Sequence, residues 1–169
     1  GSYWFHQPGT RSNGAYMSLD LAVIADKKLS RRQLKALSEF LKANRFRKDR
    51  YGYHATQENI TLDLFIDLRP ENNEFWTEEP PKSVWFTPLA DISLESRHTR
   101  QSYQMSYRIA KKLAKLIGGF IYDNQFGIVY DPKGRPCDHF KTGEKFEKYG
   151  ASINLFMRSV GMLEDILKK

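Results

Sequence analysis

Residues 103–130, YQMSYRIAKKLAKLIGGFIYDNQFGIVY, constrain this chain more than any other stretch. Ile109, Ala110, Leu113, Leu116 and Ile117 recur three and four residues apart, which places them on one face of a helix, with Lys111, Lys112 and Lys115 mostly off that face. Gly118 and Gly119 follow the last apolar turn, where a left-handed cap favours a residue without a Cβ. Beyond them Phe120 and Tyr122, then Phe126, Ile128 and Tyr130, alternate as half-buried strands do, and Asp123, Asn124, Gln125 and Gly127 supply turn chemistry between the two runs. This is a scaffold signal, with no catalytic motif inside it.

The same plan is legible earlier. Met17, Leu19, Leu21 and Val23 alternate with Ser18, Asp20 and Ala22 as a first strand that runs on to Ala25. Ser30 stands three residues before Gln33, the spacing of a capping box, and Leu34, Leu37, Phe40 and Leu41 form the buried stripe of the helix that follows. Asn44 is the expected left-handed stop. A basic link, Arg45 to Arg50, leads to a strand at Tyr51–Thr56. Ile60, Leu62, Leu64, Ile66 and Leu68 then alternate without a break. After a loop over residues 69–90, a strand at Ala90–Arg97 opens the second copy. Near the end, Tyr149, Ile153, Phe156, Val160, Leu163 and Leu167 predict a C-terminal helix, although Gly150 and Gly161 each weaken it by ~1 kcal/mol relative to alanine.

The expected fold is therefore α+β: a mostly antiparallel sheet built from two β-α-β-β units, with helices on one face and an added C-terminal helix. Residues 1–16 are polar, glycine-rich and aperiodic; Gly1-Ser2 reads as a remnant of tag removal, and residues 17–169 as one domain. At 169 residues and 40% hydrophobic content, the chain suffices for one core. No apolar run approaches the ~20 residues of a bilayer-spanning helix. Cys137 is the only cysteine, so an internal disulfide and a cysteine-rich zinc site are both excluded, and a reducing, cytoplasmic setting is expected.

Signals for chemistry are sparse. His6, His54, His98 and His139 make no i, i+4 pair and no HExxH pattern. Cys137, Asp138 and His139 place a thiol beside an imidazole, yet adjacent residues seldom adopt the geometry of a catalytic dyad. Asp63 and Asp67, four apart on one strand, are ~13 Å from each other and share no proton or metal. Phosphate-binding loops and nucleophile elbows are missing from the sequence. The expectation is a protein without catalytic residues, metal or cofactor; the enzyme alternative would need distant groups such as His54, His98 and Asp91 to meet in a pocket.

Two regions are candidates for partner contacts. The loop over residues 69–90 carries Phe75, Trp76, Glu78 and Glu79 among prolines, and its aromatics either fold back on the core or form an exposed patch. The basic link offers Arg45, Arg47 and Arg50. Followed by Tyr51 and Tyr53, and with a net charge of +7, that link also supports single-stranded or other nucleic-acid binding, though Asp63 and Asp67 on the partner strand would repel phosphate.

The stretches MSLDLAVIADKKLS and YRIAKKLAKLIGGFIYDNQFGIVYD together resemble the small single-domain immunity proteins of bacterial polymorphic toxin systems. That resemblance covers about a quarter of the chain and transfers no functional residue. It implies a non-enzymatic protein that binds one cognate bacterial toxin and blocks it.

Overall fold

The computed structural model describes residues 19–97 and 99–137. The N-terminal segment 1–16, His6, His98, the Asp138-His139 pair and the expected C-terminal helix lie outside the described residues. The elements are β1 (Leu19–Ala25), α1 (Arg31–Ala43), β2 (Arg47–Lys48), β3 (Tyr53–Gln57), β4 (Ile60–Asp67), a 3-10 turn (Pro70–Asn72), α2 (Glu74–Thr77), β5 (Ala90–Ser96), α3 (Arg100–Ile117), β6 (Phe120–Asp123) and β7 (Ile128–Tyr130). The strands form one antiparallel sheet in the order β2-β3-β4-β5-β1-β6-β7. The fold is α+β, as the sequence predicts.

The two β-α-β-β units interlock. β5, the first strand of the second unit, lies between β4 and β1 of the first; β1 in turn lies between β5 and β6. β1 and β5 pair from Leu19↔Ser96 to Ala25↔Ala90. Neither unit can complete a sheet alone.

Strand alternation sends Leu21 and Val23 of β1, Ile92 and Leu94 of β5, and Leu62 and Leu64 of β4 to one face, where Leu37 and Leu41 of α1 and Ile109, Leu113 and Ile117 of α3 cover them. The opposite face is covered by the segment between β4 and β5. There Trp76, only 1% exposed, packs with Ala22, Ile24, Val84, Tyr122 and Val129. Its indole Nε1 donates to Asp91 Oδ2 at 3.0 Å, and the Ser93 hydroxyl donates to Oδ1 at 3.0 Å. Burial pushes the Asp91 carboxyl up to about 7, against the pull of those two donors.

Local chemistry sets the element ends. The capping box at α1 forms as expected, Gln33 N donating to Ser30 Oγ at 3.1 Å and Ser30 N to Gln33 Oε1 at 2.8 Å. The left-handed residue after α1 is Arg45 (φ 59°), not Asn44, whose φ is −94°. Phe46 N donates back to Leu41 O and Arg45 N to Lys42 O, a Schellman closure that requires the residue after the cap to be left-handed. α3 starts at Arg100, earlier than the apolar period suggests, because Thr99 Oγ1 accepts from Ser102 N. β3 starts at Tyr53 instead of Tyr51, since Asp49 Oδ1 accepts from the amides of Tyr51 (2.7 Å) and Gly52 (3.0 Å) and holds them in a turn. At the β6–β7 hairpin Asp123 accepts from the Tyr103 hydroxyl and from the amides of Gln125 and Phe126, and burial pushes its carboxyl up to about 7. The Gln125 side-chain amide pairs with the backbone of Asp20 (2.6 and 2.7 Å), extending the β1–β6 ladder by one rung.

The glycine pair divides its work. Gly118 is the left-handed cap (φ 65°) with open space where a Cβ would stand, whereas a Cβ on Gly119 would collide with the carbonyl oxygen of Ile24. Gly118→Ala therefore costs ~1–2 kcal/mol of backbone strain, and Gly119→Ala costs more, because backbone cannot yield without parting β6 from β1. Urea midpoints of the two variants check this; equal losses would contradict it.

Candidate functional site

Two predicted core stripes run past their cover. Leu34 begins the α1 stripe yet is 38% exposed, and Leu68, the last alternating residue after β4, is 43% exposed. The loop from Lys48 to Gly52 faces both, and Tyr51 at its tip is 56% exposed. Between α1, this loop and the end of β4 lies a cleft of about 700 Å³, floored by Leu37, Leu41, Phe46 and Ile66. Such a volume is typical of sites that accept a ligand or an anchoring side chain.

The rim is cationic. Lys42, Lys48 and Arg50 line the cleft, and Asp49 is the one carboxylate among its lining residues. Arg50 stands 5.6 Å from the Tyr51 ring centroid, and Lys48 lies 6.0 Å from that of Tyr53, both within cation–π range. On α1 the cations Arg31, Arg32, Lys35 and Lys42 outnumber the single Glu39, and the first turn holds no acidic residue. Arginines at the positive end of a helix dipole are unfavourable by ~0.3–1 kcal/mol each. Arg31 lies one turn before Leu34, on the same side of α1.

Asp49 is committed elsewhere. Besides its two backbone amides, its Oδ2 lies 2.5 Å from His54 Nε2, while His54 Nδ1 is 2.5 Å from Asp63 Oδ1. The imidazole is thus clamped between two carboxylates. The hydrogen bond to Asp63 raises the His54 pKa above its ordinary value, with burial opposing and the charges of Asp63 and Asp49 adding to it. The amide of Tyr51 lowers the Asp49 pKa, and Gly52 N and His54 reinforce that shift against desolvation. Gly52 is required at the turn, because a Cβ there would meet Leu64 O and the Phe65 ring at 2.8 Å.

Residues singled out from the sequence do not fall in one place. Arg50 lines the cleft; Arg45 is the left-handed closure of α1; Arg47 sits on β2 opposite His54, on the face away from α1. Trp76 is core and leaves the set of contact candidates, while Phe75 stacks edge-on against it at 4.8 Å and is half-buried. Glu78 and Glu79 are exposed, but they follow a helix packed over β5, β1 and β6, strands away from the basic link at β2 and β3. The two proposed contact regions are therefore not one surface.

No known family, curated protein or solved structure matches this chain.

Of the three residues named for an enzyme site, His98 lies outside the described residues, and the other two are not brought together. His54 pairs across to Asp63, which pairs to Glu95, four residues along β5 from Asp91; that leaves His54 and Asp91 two strands and ~13 Å of strand apart. Asp20 and Asp63 both neighbour Glu95, so the row Asp20, Glu95, Asp63, His54 and Arg47 crosses five strands. Among the described residues no group of three or more His, Cys, Asp or Glu is placed to hold a metal ion. Burial pushes the Cys137 thiol up to about 11, which leaves it a poor nucleophile near neutrality. No helix among the described residues is long and apolar enough to cross a membrane.

His54 carries the pH dependence of the cleft wall. A group whose folded pKa is raised contributes stability that is present below its unfolded value of ~6.5 and lost as pH rises through the folded value. The stability gap between the wild-type chain and His54→Gln is therefore expected to be larger below pH ~6 than above pH ~8, and NMR titration is expected to show the His54 pKa raised from its ordinary value. A gap that is constant or widens with pH would contradict the clamp.

Proposed function

We propose that this chain is a non-enzymatic binding protein that contacts a protein partner through the cleft between α1 and the Lys48–Gly52 loop. The observation that carries the reading is the exposure of Leu34 and Leu68 at the ends of otherwise buried stripes, inside one concavity that also holds Tyr51 and Arg50. Aromatic and arginine side chains beside apolar anchors are the groups that dominate protein interfaces. On the resemblance to immunity proteins, the partner is a cognate bacterial toxin, and binding neutralises it in the cytoplasm. No cofactor enters this reading.

Nucleic acid is the competing partner, favoured by the two cation–aromatic pairs in the same loop. The aliphatic floor of the cleft opposes it, since Tyr51 is the one exposed ring among its aromatic lining residues.

Co-expression with each protein encoded beside this chain's gene, scored for growth arrest and its rescue, tests the proposal. The wild-type chain restores growth and co-purifies with the toxin, whereas Leu34→Asp and Arg50→Glu each weaken the complex by at least ~10-fold. Both positions are exposed, so circular dichroism stays unchanged. Failure of the wild-type chain to protect, together with salt-dependent binding to single-stranded oligonucleotides, would replace this reading with the nucleic-acid one.

A further inference from the structure

The chemistry of the cleft specifies its occupant more narrowly than "protein". Its exposed anchors and floor are mainly aliphatic: Leu34, Leu37, Leu41, Ile66 and Leu68. Of its aromatic lining residues, Phe46 is buried, Tyr53 and Phe65 are half-buried, and Tyr51 alone is exposed. Successive nucleotides need several exposed rings along a cationic track; one exposed ring above an aliphatic floor does not provide that. Aliphatic walls gain most by burying aliphatic side chains, roughly 25 cal/mol per Å² of apolar surface removed from water.

The charge around those walls is mainly positive. Lys42, Lys48 and Arg50 stand at the rim, and Arg31 lies one helical turn beyond Leu34. Asp49 is the one acidic lining residue, and its carboxylate is turned toward two backbone amides and His54. An occupant that brought cations to this rim would meet mainly like charges; one that brought carboxylates would meet Lys42, Lys48 and Arg50.

Resting on the binding reading above, we infer that the cleft takes an acidic amphipathic peptide segment of the partner protein, one that inserts two or three aliphatic side chains between α1 and the Lys48–Gly52 loop while its flanking Asp or Glu residues meet Lys42, Lys48 and Arg50. The aliphatic anchors supply the burial and the carboxylates set register and on-rate, so affinity falls with ionic strength without vanishing.

Selection of a random displayed library of peptides of about 16 residues, long enough for four helical turns, on the full wild-type chain tests this directly. Enriched sequences are expected to carry leucine-type residues three and four apart with Asp or Glu between them. Their binding should weaken by ~10-fold or more on Leu34→Asp and on Arg50→Glu, and less on the milder Arg50→Ala. A single-stranded oligothymidylate of similar length should not displace them. Enrichment of basic or neutral sequences, indifference to Leu34→Asp, an empty selection, or displacement by the oligonucleotide would each overturn the inference. The outcomes also separate it from the reading it rests on. If toxin protection depends on Leu34 and Arg50 but the selected peptides are not acidic, the binding surface stands and its stated chemistry falls. If protection is independent of both residues, both fall.

Discussion

Everything in this fold hangs on the pairing of β1 with β5. Each is the first strand of its own β-α-β-β unit, and each is inserted between strands of the other unit. A strand in that position has no wet side: Leu21 and Val23 meet the helices, while Ala22 and Ile24 meet Trp76 and its neighbours. The segment between β4 and β5 is consequently a second layer of the core. Its acidic, proline-rich composition forbids an interior strand but allows a covering strap, anchored where the Trp76 indole donates to the buried Asp91 carboxylate.

The cleft is where that economy of cover ends. α3 lies over the middle of the sheet, and α1 covers the β3–β4 side only from Leu37 onward, so one turn of α1 and the last residue of the β4 stripe stay exposed. An apolar concavity that the described residues leave open costs stability unless something fills it. Here it is bordered by a loop that is held with care: Asp49 caps it, His54 ties Asp49 toward Asp63, and Gly52 lets it approach β4. A loop held in this way beside exposed leucines leaves little ordering to be done if the proposed contact forms there.

How much of this was legible in the sequence divides along a physical line. Periods report which side of an element is apolar, so the strands, both long helices and the hairpin after Gly119 were readable. Periods do not report whether an apolar side is covered, so Leu34 and Leu68 read as core when they are the mouth of the cleft, and Trp76 was ambiguous until Asp91 was found beneath it. Short-range polar bonds misled in smaller ways. Asn44 has the composition of a left-handed stop, but Arg45 takes that conformation because Phe46 must turn back onto Leu41. His54 gave no pattern with any other histidine; its partners Asp49 and Asp63 are brought to it only by the β3–β4 pairing and the turn before it. The one signal that could have found the clamp is its position two residues after the Asp49–Gly52 turn, on the strand facing Asp63.

The central claim is that the contact surface is the cleft and not the aromatic strap on the opposite face. Amide hydrogen exchange of the chain, alone and bound to a protein partner that co-purifies with it, measures this most directly. The account predicts added protection over α1 near Leu34 and over the Lys48–Gly52 loop, with the strap from Glu74 to Trp85 unchanged. Protection concentrated on the strap, with α1 and the loop exchanging as in the free chain, would contradict it.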